Sequence, residues 1–164
     1  MEGSPSILEL AARLGELLTA RGWSLAIAES CTGGMLGAAI TAVPGSSRYF
    51  LGGVISYADR VKLEQLGVAT ETLAQHGAVS SQAAEAMASG VRRLLHSDLG
   101  VSITGVAGPG AEGSKPVGLT YIGVAGESRV SAHLYQWSGG RSENRTSSVM
   151  AALRLAIDAT DIMS

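Results

Sequence analysis

At 164 residues the chain fits one domain with a full hydrophobic core and is too short for two ordinary ones. Its 46% apolar and 16% charged content excludes a disordered chain, and 22 glycines without a Gly-X-Y period point to tight turns and close backbone approaches. A net charge of −2 with 12 Lys and Arg leaves little electrostatic footprint for duplex nucleic acid, a single cysteine rules out an intrachain disulfide, and no apolar run approaches the roughly 20 residues that span a bilayer.

With no basic, then apolar, then small-residue leader pattern at the amino end, the expectation is one cytoplasmic domain over 1–164 that engages neither nucleic acid nor membrane. Ile7, Leu10, Ala11, Leu14, Leu17 and Leu18 share a helical stripe, started by Ser4-Pro5-Ser6 and stopped by Arg21-Gly22. Residues 24–29 read as a buried strand, and 31–43 as a helix of small residues ending before Pro44-Gly45. Residues 49–57 predict a second strand with a bulge or close approach at Gly52-Gly53.

Residues 58–66 suggest a short helix and 70–75 a turn. Ser80 or Ser81 then caps a helix on which Ala84, Met87, Val91, Leu94 and Leu95 recur at helical spacing. Residues 99–104 form a short buried strand that runs into the glycine-rich loop 105–110, which can present several backbone N–H groups. Residues 117–125 and 130–137 predict two strands joined by Gly126-Glu127-Ser128, so the sheet is expected to be mixed. A last helix over 141–157 turns Val149, Leu153, Ala156 and Ile157 inward.

The chemistry centres on Ala26-Ile27-Ala28-Glu29-Ser30-Cys31-Thr32-Gly33-Gly34, an apolar strand that breaks at two polar residues and gives way to a glycine pair. In an open α/β sheet such corners lie at the carboxyl ends of strands, where ligands bind and helix amides favour an anion or a developing oxyanion. Ser30 is a candidate nucleophile there, although a serine before a helix is often only its cap. No Gly-x-Ser-x-Gly elbow surrounds it, and His76, His96 and His133 have no supporting motif.

A lysine of lowered pKa can replace histidine as the base, and this chain has two lysines, Lys62 and Lys115. Lys62 follows the second strand and shares a rim with Ser30 if the two strands are parallel neighbours. Tyr57 ends that strand and could pass a proton or orient substrate, though a packed tyrosine is the commoner case. Cys31 is a rival nucleophile, set against its ordinary use as a small buried apolar side chain. Arg141 and Arg145, four apart at the start of the last helix, would suit a phosphate monoester or form a solvated face. No spacing of His, Cys or acidic residues matches a metal site, so a metal-free hydrolysis is expected, with no cofactor.

Taken together, several stretches resemble one family, the carboxyl-terminal domain of the competence/damage-inducible CinA proteins, which also occurs alone as nicotinamide-nucleotide amidohydrolase. They are Ala28-Glu29-Ser30-Cys31-Thr32-Gly33-Gly34, Pro44-Gly45-Ser46-Ser47 through Gly52-Gly53, Tyr57 to Lys62, Leu66-Gly67-Val68, Gly77-Ala78-Val79-Ser80, Thr104-Gly105-Val106-Ala107-Gly108-Pro109, Lys115-Pro116-Val117-Gly118, and Gly140-Arg141 with Arg145. The resemblance implies a three-layer α/β/α domain with a mixed, mostly parallel sheet. It also implies metal-free hydrolysis of the carboxamide of nicotinamide mononucleotide to nicotinate mononucleotide and ammonia.

On that resemblance Ser30 is the nucleophile, Lys62 its base and Tyr57 a helper. Cys31, Thr32 and Gly33 supply oxyanion amides, and Thr104, Gly105, Gly108, Arg141 and Arg145 hold the nucleotide. Here the family's Gly-Pro loop departs into Gly110-Ala111-Glu112-Gly113-Ser114, which brings Glu112 toward the expected phosphate. A homo-oligomer is expected. A non-catalytic interaction domain and a pyridine-nucleotide sensor are the competing expectations.

Overall fold

The structure, a computed structural model, describes residues 3–162. Its strands are β1 (Leu25–Glu29), β2 (Phe50–Ile55), β3 (Leu99–Gly105), β4 (Leu119–Ala125) and β5 (Val130–Gln136). Its helices are α1 (Ile7–Arg21), α2 (Met35–Thr41), α3 (Asp59–Leu66), α4 (Thr70–His76), α5 (Ser81–Leu95) and α6 (Arg141–Ile162). The strands form a single sheet in the order β2-β1-β3-β4-β5. β1 pairs parallel with β2 and β3, while β4 runs antiparallel to both β3 and β5. Only β4 therefore opposes the common direction, which makes the sheet mixed and mostly parallel as expected.

Strand alternation sorts the core into two layers. Leu25 and Ile27 of β1, with Val101 and Ile103 of β3, face the layer of α1, α2 and α6. Ala26 and Ala28 face the other way, toward Met87 and Val91 of α5 and Leu66 at the end of α3. The α5 side is lined by small residues for a steric reason. A Cβ at Gly100 would collide with the Ala88 carbonyl of α5, and one at Gly123 with the Ala84 carbonyl, while Ser102 donates to that Ala84 carbonyl at 2.6 Å. The helix backbone thus lies directly on the strands.

Several boundaries differ from expectation. The helix expected from residue 31 begins at Met35, because Gly33 and Gly34 both take positive φ (56° and 111°) and delay the first helical turn. The turn expected over 70–75 is the helix α4, and α6 continues to Ile162 because Ala156, Ala159 and Thr160 remain buried. The bulge in β2 is present, at Leu51, where the register with β1 shifts. The β1-to-β2 connection carries α2 on one face of the sheet and the β2-to-β3 connection carries α5 on the other. The carboxyl ends of β1, β2 and β3 consequently meet at a topological switch point, the usual place for a ligand crevice.

Candidate active site

Lys62 lies on the inward face of α3 with Leu66, one turn apart, and is 1% exposed. A lysine in such a position must find polar partners or lose its charge. Its Nζ donates to the Ser56 carbonyl at 2.7 Å and the Tyr57 carbonyl at 3.2 Å, and lies 3.2 Å from Ser30 Oγ. A neutral amine has two N–H groups and one lone pair, so two carbonyls can take the hydrogens and leave the lone pair facing the Ser30 hydroxyl. Burial pushes the Lys62 pKa below the usual lysine value, while the nearby Asp59 and Glu112 carboxylates oppose that shift. Asp59 Oδ1 is 3.8 Å away, an ion-pair distance beyond hydrogen-bond reach.

Ser30 is the first residue after β1, and its N–H donates to the Ile103 carbonyl of β3, which fixes it to the centre of the sheet. The turn that follows is shaped by Glu29, buried at 2% exposure. Its carboxylate accepts the Thr32 hydroxyl at 2.7 Å, the Leu36 N–H at 2.8 Å and the Gly37 N–H at 3.1 Å, which caps α2 from the strand before it. Gly33 N–H returns to the Ser30 carbonyl at 3.1 Å. Among the described residues the Thr32 N–H has no acceptor and the Cys31 N–H meets only its own thiol, so both amides remain open to a stronger acceptor.

The expected phosphate arginines divide. Arg145 spreads its guanidinium over the turn, Nε to the Cys31 carbonyl and Nη2 to the Thr32 carbonyl, both at 3.1 Å. It is a brace for the Ser30 turn and does not line the cavity: among the described residues the Cys31 carbonyl has no other donor, while the Thr32 carbonyl also accepts the Met35 N–H at 3.0 Å. Arg141 does line the cavity, and its Nη1 donates to the Gly108 carbonyl at 2.6 Å. The buried Asn144 between them takes the Gly139 N–H and donates to the Ala107 carbonyl. Helix α6 thus holds both walls of the site.

The cavity between those walls measures about 280 Å³ and brings together Ser30, Cys31, Tyr57, Lys62, Thr104, Gly105, Gly108 and Arg141, with Asp59 and Glu112 at its acidic side. Thr104 spends its hydroxyl hydrogen on the Ala78 carbonyl at 2.7 Å. Thr32 and Gly33 shape the turn without lining the cavity. Tyr57 contributes its backbone carbonyl to Lys62 and is itself 64% exposed at the rim. Cys31 is buried, and burial pushes its thiol up to about 11, partly offset by its own backbone N–H and by the Arg145 and Arg141 charges. It is a protonated thiol near neutrality.

Sequence reasoning passed over Glu29 and Asn144 as working residues. Glu29 had a usable signal, a carboxylate ending an otherwise apolar strand; Asn144, one polar side chain among several at a helix start, had none. A larger groove of about 860 Å³ lies at the opposite rim, against Trp23, Arg92, His96 and Arg129, and contains neither Ser30 nor Lys62. Among the described residues no group of His, Cys, Asp and Glu is arranged to hold a metal ion, and no helix is long and apolar enough to cross a membrane.

The CinA C-terminal domain family model matches residues 7–160. A putative competence-damage inducible protein of Halothermothrix orenii is 52% identical over 134 residues, covering 80% of this chain and 32% of that protein. A CinA-like protein of Acaryochloris marina is 56% identical over 126 residues, covering 76% and 30%. The chain spans about a third of the length of these curated relatives. The crystal structure of the competence/damage inducible protein CihA from Agrobacterium tumefaciens matches with a TM-score of 0.91 at 38% identity, covering 98% of this chain and 99% of that one. That of the competence damage-inducible protein A (ComA) from Klebsiella pneumoniae matches with a TM-score of 0.94 at 32% identity, covering 98% and 100%. A family match over residues 7–160 and solved structures that superpose along nearly the whole chain make this protein a member of the CinA family, corresponding to its C-terminal domain.

Proposed function

We propose that the chain hydrolyses the carboxamide of nicotinamide mononucleotide to nicotinate mononucleotide and ammonia, with Ser30 as nucleophile and Lys62 as general base. The observation that carries this is the buried 3.2 Å contact between Ser30 Oγ and a desolvated lysine amine on the wall of a cavity. Burying a lysine costs stability, and a domain used only to bind a partner has no need to bear that cost.

In the first half-reaction Ser30 Oγ attacks the amide carbon while Lys62 Nζ takes the hydroxyl proton. The Cys31 N–H meets the developing oxyanion, a contribution of about 3 kcal/mol for one donor. Lys62 then gives its proton to the departing nitrogen, and the C–N bond breaks to leave an acyl-serine and ammonia. Water attacks the ester, Lys62 takes one of its protons and returns it to Ser30, and the acid leaves, giving its remaining proton to solvent. The protons that move on and off Ser30 and onto the leaving nitrogen are carried by one amine, whose two carbonyl partners keep it oriented.

Ammonia release from nicotinamide mononucleotide by the parent chain, Ser30→Ala, Lys62→Met and Cys31→Ala tests this. Turnover that is lost in the first two variants and kept in the third is the expected result. Full activity in Ser30→Ala refutes the nucleophile, and nucleotide binding without any ammonia turns the domain into a sensor. The proposal includes a homo-oligomer, supported by the exposed Leu51 and Ile55 on β2, an edge strand. A monomer in light scattering at working concentration counts against that part.

A further inference from the structure

The cavity carries charges of both signs. Asp59 and Glu112 are among the residues that line it and both carboxylates act on the Lys62 amine, Asp59 Oδ1 from 3.8 Å. Arg141 lines it too, tied to the Gly108 carbonyl, and its charge acts on Cys31 and is not among those that act on Lys62. The exposed Tyr57 ring stands at the rim between β2 and α3, among the residues that line the same cavity. Two carboxylates and an aromatic face form the combination that recognises an organic cation lacking N–H donors, through charge and through the ring quadrupole.

Neither carboxylate is needed for the acyl transfer. Lys62 is already held by two carbonyls, and Asp59 at 3.8 Å makes no hydrogen bond to it. Both carboxylates also work against the role of Lys62 as a neutral base, since negative charge beside an amine favours its protonated form. Something must offset that cost. A permanently cationic ring arriving between them would do so, because it neutralises their field at the moment the base is required.

We propose that Asp59 and Glu112, with the Tyr57 ring, determine specificity by selecting a carboxamide carried on a cationic, N-alkylated pyridinium and by discriminating against its uncharged counterpart. This rests on the amidohydrolase function proposed above and deepens it, naming which part of the substrate each side of the cavity receives. The two carboxylates do not make a site by themselves; they border the cavity that already holds Ser30 and Lys62. Glu112, which was expected to disturb a phosphate, instead faces the positive end of a zwitterionic ligand, and the phosphate is left to the Arg141 side.

Two probes without phosphate isolate the ring charge: 1-methylnicotinamide, a quaternary pyridinium, and nicotinamide, a neutral pyridine. Their inhibition constants against nicotinamide mononucleotide hydrolysis are compared in the parent chain, Asp59→Asn, Glu112→Gln and the double variant. The expected result is a preference for the cation of about tenfold in the parent chain, falling about threefold with each substitution, while nicotinamide binds equally to all four. Both side chains are solvent-exposed, so the variants are expected to fold, and thermal melting checks this.

Equal binding of the two probes to the parent chain, or a preference that survives the double substitution, overturns the proposal. If the nucleotide is not hydrolysed at all, the amidohydrolase function fails separately. The same four chains are then titrated with the two probes by calorimetry, where loss of the cation preference still supports the role of the carboxylates and its persistence, or binding of neither probe, refutes it.

Discussion

Lys62 Nζ lies 3.2 Å from Ser30 Oγ, although Ser30 follows β1 and Lys62 belongs to α3, because β1 and β2 are parallel neighbours and α3 follows β2 at their carboxyl ends. The lowered Lys62 pKa then fixes two pH dependences of known sign. Activity needs the neutral amine, so kcat/KM falls as pH drops through a pKa below the ordinary 10.5. For stability, the unfolded chain binds the Lys62 proton more tightly than the folded one, so stability rises with pH between the lowered folded pKa and 10.5. Lys62→Met removes that slope. Its stability relative to the parent chain, measured by urea unfolding, is greatest at low pH and declines as pH approaches 10.5. An advantage that does not change with pH would show that the amine is not perturbed by burial.

Cys31 follows from the same cavity with the opposite outcome. A thiol held at about 11 is thiolate to roughly one part in a thousand at pH 8, so it is a poor nucleophile. Iodoacetamide is expected to label the native chain at pH 8 far more slowly than the urea-unfolded chain, as followed by mass spectrometry. Cys31→Ala is expected to keep activity within about threefold and to cost about 1 kcal/mol in stability from the lost sulfur volume. Rapid native labelling with loss of activity would move the chemistry from Ser30 to Cys31.

What the sequence could and could not convey follows from the kind of force at each position. Strands and helices with long apolar periods, such as α5 with Met87 and Val91, were readable because burial alone specifies them. The start of α2 was misread because Gly33 and Gly34 take positive φ and the helix is capped by a side chain seven and eight residues earlier, Glu29 accepting from Leu36 and Gly37, which no local propensity records. Ser30 and Lys62 were singled out by residue type and rim, yet their contact depends on α3 placing Lys62 inward, where an amphipathic reading would put an apolar residue. Arg145 was expected on a ligand because its bonds to Cys31 and Thr32 span 114 and 113 residues, a tertiary fact without a sequence pattern.

Glu29→Gln tests the capping role of the carboxylate. Glutamine keeps one acceptor oxygen, but its NH₂ group must face a donor, the Leu36 or Gly37 N–H or the Thr32 hydroxyl, in a site that is almost fully buried. The expected cost is about 2 kcal/mol in urea unfolding, with a lower kcat because the turn carrying Ser30 loosens. Glu29→Asp, which keeps the charge and shortens the reach by one methylene, is expected to restore part of both. Unchanged stability in the glutamine variant would show that α2 does not depend on this cap.

Arg145 distinguishes a brace from a phosphate ligand. Its fork meets two carbonyls at once, a geometry that a lysine ammonium on a flexible stem does not reproduce. Arg145→Lys is therefore expected to lose about 1–2 kcal/mol of stability. It should lower kcat by about tenfold or more for nicotinamide mononucleotide and for the phosphate-free riboside alike, because both react at the same displaced Ser30 turn. A residue that holds the phosphate would act differently, raising KM for the mononucleotide while leaving the riboside unaffected. Parallel losses on the two substrates identify the brace, and a loss confined to the phosphorylated one returns Arg145 to the ligand.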